Sequence, residues 1–513
     1  MNTLPPKRAL PGRLALSVAL LSALAGCAIA PAKPRHPMLR NDVPLAGLQV
    51  PTRPGWPAAD WWRVYRDPQL DTLMSLALKH SPSLAQAHAR VRTAEQSVRL
   101  AAAQAGLSIN GSAQVSRQRI SEHGLMPPKL LGFTWYNQAD LGVQFQYDFD
   151  WWGKKRDAID AALDRAHAAE AQRSAAALTI ENAVADTYFG WLADEARLAL
   201  AHKAVATQQR LLQIARLRVA HGVDLPDSVQ QAESSLAAAR QLELTIGSSA
   251  QIRKVALAAL LGVDTDHLPT LSPRPLPGVG GGLPDNARID LIARRPDIAA
   301  SRWEVEAALK QTDEARAQFF PDISISAMAG LSSTDQAAPA LFGGGGGSGS
   351  LGNLFSASSR VFNLTPAIHL PIFEGGRLKA AYGVSRAQLD AAVSQYDTVV
   401  TDAARDVATQ ALSAEQIASR RSQQAKQVQA DRQLLAMAQA RVRQGVSDAR
   451  ASLAATARLL QQEDTAVSLH AQALSTDLAL IKALGGGYHV PSSGHERRTS
   501  TPSTTSTSGA HTS

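Results

Sequence analysis

From residue 68 to residue 104 small and apolar residues recur with the period of a helix, and then the period changes. Residues 107–118 alternate, with Ile109, Gly111, Ala113 and Val115 set against Asn110, Ser112, Gln114 and Ser116. Residues 139–151 alternate more strongly: Leu141, Val143, Phe145, Tyr147, Phe149 and Trp151 fall on one side, Gln144, Gln146, Asp148 and Asp150 on the other. A period of two predicts strands with one apolar and one polar face. The pattern returns later in the chain. Ile323, Ile325, Ala327 and Ala329 oppose Ser324 and Ser326, and a fourth stretch runs around Phe362–Leu370. Strands of about 10–13 residues are long enough to cross a bilayer when tilted. After residue 27 no run approaches the roughly 18–20 apolar residues of a membrane helix, so a crossing has to be made of strands.

Each strand pair is followed by a very long helical stretch. Between residues 157 and 220 there is no proline and one glycine, Gly190. Val184, Trp191, Leu198, Val205, Leu212 and Val219 recur every seventh residue, a repeat that imposes left-handed supercoiling. The pattern breaks at His221-Gly222-Val223-Asp224-Leu225-Pro226, and a return helix runs to about residue 262. The second half repeats the design: out from 380 to 443, a turn at Gln444-Gly445-Val446, and back to 484.

The halves align with each other. At an offset of 214, Ser81-Pro82-Ser83-Leu84 falls on Arg295-Pro296-Asp297-Ile298; at 223, His221-Gly222-Val223 falls on Gln444-Gly445-Val446 and Leu261-Gly262 on Leu484-Gly485. The change of offset means nine extra residues in the second copy, assigned to the loop that holds Gly343–Gly347. The expected organisation is a leader over 1–26, an N-terminal segment over 27–67, a first repeat over 68–275, a second over 283–488, and a disordered Ser/Thr-rich tail over 489–513. Two long hairpins cannot bury their apolar stripes alone, and four strands cannot close a barrel alone. Both deficits predict assembly of several copies.

Composition narrows the function. The formal charge is +8, with three cations (Lys7, Arg8, Arg13) in the first 26 residues, and no dense basic patch marks a nucleic-acid binder. The triplet Lys154-Lys155-Arg156 follows a strand directly and is expected at the level of lipid phosphates. Aromatic pairs bracket the second strand: Trp135 and Tyr136 before it, Trp151 and Trp152 after it, as in the girdles of membrane barrels. Gly343–Gly347 lacks the Lys-Ser/Thr of a phosphate loop, the 13 histidines include no HExxH pair, and no serine sits in a G-x-S-x-G elbow. Neither an enzyme nor a metal or cofactor site is expected. A single cysteine, Cys27, excludes an internal disulfide. It follows a basic start and the apolar stretch 14–24, which together read as a secretory signal.

Leu24-Ala25-Gly26-Cys27 resembles a bacterial lipobox, which implies cleavage before Cys27 and a covalent lipid on its sulfur. Ala28 stands where an aspartate would mark inner-membrane retention, so delivery to the outer membrane is implied. The chain as a whole resembles the TolC-like, NodT-type outer-membrane factor family. The resemblance rests on Trp61-Trp62 with Asp67-Pro68-Gln69-Leu70, on Asp148-Phe149-Asp150-Trp151-Trp152-Gly153-Lys154, and on Leu291-Ile292-Ala293-Arg294-Arg295-Pro296-Asp297-Ile298. It continues through Phe319–Ile323, Pro371–Arg377 and Ala483–Tyr488. It implies a mainly helical fold with a membrane β-barrel, in which three copies form a twelve-stranded barrel on a periplasmic α-helical barrel. It implies a passive efflux duct in the outer membrane of a Gram-negative bacterium, partnered by a periplasmic adaptor (membrane-fusion) protein and an inner-membrane pump. Gly222, Val223, Gly445 and Val446 would be the adaptor-docking tips, although both glycines also suit a plain helix end. Asp224, Asp227, Asp448 and Arg450 are candidates for the periplasmic gate. Ala451 and Ala454 stand where some relatives carry acids, so that ring does not transfer. The plainer alternative for the tip acids is solvated charge at a helix start. The alternative function is a coiled-coil outer-membrane lipoprotein or adaptor without a pore. The tryptophan-rich exit motif resembles members that serve drug and aromatic-acid exporters, and six methionines give no support to a copper or silver route.

Overall fold

The structure, a computed structural model, describes residues 30–40, 52–53, 55–123, 127–280, 282–284, 287–336 and 350–489. Cys27, the leader, the tract Gly343–Gly347 and the tail from residue 490 lie outside the described residues.

In chain order the elements are β1 (Thr52–Arg53), α1 (Pro68–His80), α2 (Pro82–Ala105), β2 (Ser108–Arg119), β3 (Trp135–Phe149), α3 (Lys154–Ala220), α4 (Asp227–Leu261), β4 (Leu283–Pro284), α5 (Ala287–Arg294), α6 (Pro296–Ala317), β5 (Asp322–Thr334), β6 (Arg360–His369), α7 (Arg377–Arg443) and α8 (Ala449–Ala483). The internal duplication is visible in these bounds. α3 and α7 each hold 67 residues, and α4 and α8 each hold 35. At 1.5 Å per residue, α3 and α7 are each roughly 100 Å long.

The expected single helix over 68–104 is two helices. Pro82 disfavours helical backbone at Ser81, whose ψ is 122°, and the chain turns there before α2 begins. The first copy closes onto this break: a Cβ on Gly262, at the end of α4, would lie 2.6 Å from the His80 carbonyl oxygen. The second copy does the same. Pro296 breaks α5 from α6, and a Cβ on Gly485, just after α8, would collide with the Arg294 carbonyl.

β2, β3, β5 and β6 form one antiparallel sheet in that order. The helices continue the same order beneath it, α2 beside α3, α3 beside α6, and α6 beside α7. Further down α2 and α6 end, and α4 and α8 replace them, flanking α3 and pairing α8 with α7. The handover level is thickened by two cores. Trp61, Tyr65, Leu70, Leu73 and Met74 pack against Tyr188, Phe189, Trp191 and Leu192 of α3, with Leu257 and Leu261 of α4 and Leu474 and Leu478 of α8. Leu291, Ile298, Val305 and Leu309 pack against Leu389, Tyr396, Val400 and Val407 of α7. Val184, Trp191, Val205 and Leu212 of the heptad are buried, whereas Leu198 and Val219 are half-buried. Gly190, the one glycine of α3, lies under the Arg253 guanidinium, which crosses the helix there to reach the buried Asp194 carboxylate at 2.7 Å.

Candidate functional site

The sheet has two unlike faces, and pairing shows which residues share each. Ile109, Gly111, Ala113 and Val115 of β2 stand opposite Phe145, Val143, Leu141 and Ala139 of β3. Those lead across to Ala327, Ala329, Leu331 and Ser333 of β5, and β5 leads on to Leu364, Phe362 and Arg360 of β6. Most of the larger apolar side chains on this face are uncovered, with Val115 74% exposed, Phe362 84% and Ile368 73%, whereas Ala139 is buried and Phe145 half-buried. The other face carries Asn110, Ser112, Gln114, Gln144, Gln146, Ser324, Ser326, Asn363 and Thr365. A sheet with one bare apolar face and one face of hydroxyls and amides suits lipid outside and water inside. Among the described residues no helix is long and apolar enough to cross a membrane.

The aromatic pairs are placed less uniformly than the sequence suggests. Trp135 and Tyr136 are the first two residues of β3 rather than a segment before it. Trp135 is on the apolar face under the Arg117 guanidinium, at 5.3 Å. Tyr136 lies on the polar face and donates to the Gln118 amide oxygen at 2.7 Å. Trp151 is 69% exposed. Trp152 stacks on Phe320 at 4.8 Å and donates to the Pro321 carbonyl.

The basic triplet beside them is largely occupied within the protein. Lys154 pairs with Asp322 at 3.2 Å; Lys155 pairs with Asp148 and donates to the Ala105 and Asp148 carbonyls. Arg156 has an exposed side chain. The Asp150 carboxylate accepts the backbone N–H groups of Lys155 and Arg156, capping α3 where its dipole favours negative charge.

At the far end the two hairpin tips are built alike. Gly222 and Gly445 have φ of +71° and +70°. In both, the glycine N–H donates to the carbonyl three residues back, and the following valine N–H donates to the carbonyl five residues back. This is the Schellman ending, which needs a left-handed residue. Val223 (60% exposed) and Val446 (73% exposed) project beyond it, with Leu225 beside them.

Three of the four gate candidates come together. Asp224, in the first tip, accepts from Arg218 at 2.7 Å and from Arg450 of the second tip at 3.2 Å. Arg450 also pairs with Asp448 at 2.9 Å, and Arg218 lies 3.9 Å from Asp448. Hydrogen bonds from Arg218 hold the Asp224 carboxyl below the usual carboxylate range, and those from Arg450 do the same for Asp448. Asp448 additionally caps α8 by accepting from the Arg450 N–H. Asp227 is an exposed first residue of α4 and takes no part in this cluster. Arg218 is the member that sequence reasoning missed. Its only signal is a cation in the last turn of a helix, where the dipole alone accounts for it.

The N-terminal residues follow the outside of the second repeat. The Pro31 carbonyl accepts from Arg316, near the end of α6, at 2.8 Å. The Arg40 carbonyl accepts from Tyr396 of α7, and the Arg40 side chain pairs with Asp397 at 3.7 Å. Residue 31 is therefore at the sheet end of the helices and residue 40 farther from it.

Two segments, residues 73–263 and 289–486, match the family model described as outer membrane efflux protein. The chain belongs to that family. It is 32% identical over 466 residues to the multidrug resistance outer membrane protein MdtP of Escherichia coli K12, covering 89% of this chain and 91% of that protein. It is 35% identical over 384 residues to the fusaric acid resistance protein FusA of Burkholderia cepacia, covering 73% of this chain and 70% of that one. Among solved structures, the outer membrane protein VceC of Vibrio cholerae superposes with a TM-score of 0.73 at 33% identity, over 84% of this chain and all of that one. The outer-membrane channel OprN shares the fold, with a TM-score of 0.77 at 23% identity, over 90% of this chain and 99% of that one. The efflux channel described here therefore works in the outer membrane, and its sheet and long helices are the wall of the duct. Its two repeats each correspond to one matched segment.

Proposed function

We propose that three copies of this chain form a lipid-anchored duct that takes drugs and other small toxic organic compounds from an inner-membrane pump through a periplasmic adaptor. The observation that carries this is the four-stranded sheet with a bare apolar face, a polar face and two open edges, standing on helices in the same lateral order. Unpaired backbone is not tolerated in lipid, so the edge strands β2 and β6 must pair with other copies. Three copies give the twelve-stranded barrel that the family resemblance implies.

The named compounds of the relatives, with a lumen face here that is mostly hydroxyls and amides with the carboxylates of Asp140, Asp148 and Asp322 among them, support amphipathic organic cargo. Pro31 at the sheet end of the helices supports a lipid on Cys27, since four residues reach up to about 14 Å. The exposed valines at twin tips support adaptor docking, and the Arg218–Asp224–Arg450–Asp448 cluster supports a latch that holds the two hairpins together in the closed duct. The test is a photo-crosslinker placed at Val223 or Val446 in living cells, followed by mass spectrometry. Capture of a periplasmic adaptor is expected. Capture of none, with the channel correctly in the outer membrane, overturns the docking assignment.

A further inference from the structure

β6 carries a proline, Pro366, three residues before the end of a strand that has to hydrogen-bond on both sides once copies assemble. Which side it compromises follows from the pairing. Antiparallel residues alternate between hydrogen-bonded and non-hydrogen-bonded pairs, so one bond fixes the phase of a whole ladder. Just beyond the strand ends, the Ile120 N–H donates to the Thr134 carbonyl at 2.9 Å, and the Asp335 N–H donates to the Asn137 carbonyl at 3.1 Å. Counting inward by twos, even-numbered residues of β2 bond to β3, and Ile109, Gly111, Ala113 and Val115 turn their backbone groups to the open edge. Odd-numbered residues of β5 bond to β3, leaving the even ones for β6. Pro366 stands opposite Ile325. Its pair is thus a non-hydrogen-bonded one, as a residue without N–H requires, and its nitrogen faces the other open edge in line with Phe362, Leu364 and Ile368.

We infer that the joint between copies pairs the odd residues of β2 with the even residues of β6, and that Pro366 leaves each such joint one hydrogen bond short. This rests on the trimeric reading above. Pro366 costs no ladder bond inside its own copy, because it stands at a non-hydrogen-bonded pair with Ile325; the missing bond falls only where one copy meets the next. A backbone carbonyl of the neighbouring β2 is left without its N–H partner, and lipid hydrocarbon supplies none. Proline on an edge also blunts strand-to-strand pairing of unassembled chains. The three joints are therefore the weakest ladders of the barrel, and the barrel comes apart along them before any copy loses its own sheet.

The test uses the full-length channel extracted in detergent, followed by the temperature at which the SDS-resistant trimer dissociates. Pro366→Ala and Pro366→Val restore the N–H and are expected to shift that temperature upward. Thr365→Pro moves the lesion to the side facing β5 and is expected to lower the yield of folded protein rather than to loosen the joint alone. A trimer that dissociates at the same temperature in the parent and in both Pro366 variants overturns this inference and leaves the trimer standing. No trimer in the parent or the variants, by chemical crosslinking in membranes, overturns the trimeric reading and this inference with it.

Discussion

Arg450 is the residue on which the tip cluster turns, because it reaches the carboxylates of both hairpins closely, Asp224 at 3.2 Å and Asp448 at 2.9 Å, whereas Arg218 bonds Asp224 but lies 3.9 Å from Asp448. Arg450→Ala removes the closer link between the tips, leaving Asp224 its bond to Arg218 and only the 3.9 Å Arg218–Asp448 pair across them. The expected outcome is a higher conductance in planar bilayers and cells newly sensitive to bulky hydrophilic antibiotics, with little change in thermal stability, since partly exposed pairs add little to folding. Asp227→Ala, outside the cluster, is expected to leave conductance as it was. Asp224, Asp448 and Arg450 were legible because turn chemistry marks where tips occur and few charges sit there. The pairing itself was not legible, because two residues 226 positions apart meet only through the return of both hairpins. A second residue acts by protonation. Burial raises the Glu181 carboxyl to about 7, against the smaller lowering effect of its bond to the Trp61 indole. A raised carboxyl pKa gives stability that is full below the unfolded value near 4.5 and lost as pH rises through 7. Glu181→Gln keeps an acceptor for Trp61. It should stabilise the solubilised protein at pH 8 by about 2 kcal/mol and have little effect at pH 4.5, checked by thermal unfolding at both values.

At the scale of elements, glycines that look interchangeable in the sequence perform different tasks. Gly445 has a left-handed backbone but open space around it, so Gly445→Ala carries only a conformational cost of about 1 kcal/mol. Gly485 has the same conformation and lies against the Arg294 carbonyl, so Gly485→Ala has nowhere to put its methyl group. Outer-membrane yield should be near normal for the first variant and strongly reduced for the second, measured by immunoblot of membrane fractions. Strand positions and long helices were readable because their periods are strong and uninterrupted. The break at Ser81 was not, although Pro82 marks it, because alanine-rich sequence on both sides keeps the helical period. Lys154, expected at the level of lipid phosphates, also pairs with Asp322, an acid that pairing of β3 with β5 brings alongside. Only a register, which the sequence does not contain, reveals that.

At the scale of the whole molecule, the duplication organises everything, and it was the most legible feature because it needs no structural knowledge to detect. What it could not show is that the four helical tracks of one copy are unequal. Two of them, α3 and α7, run unbroken from the sheet to the tips. The other two are each assembled from a pair of helices that end at the same level, α2 above α4 and α6 above α8. A tube walled in this way resembles a cask with alternating whole and jointed staves. Torque applied at the tips would travel to the membrane along the whole staves, and the joints, where Gly262 meets His80 and Gly485 meets Arg294, are the breaks at which the others would yield. In the proposed trimer, a turn of the tips would therefore be taken up at those joints, with the membrane end keeping its diameter.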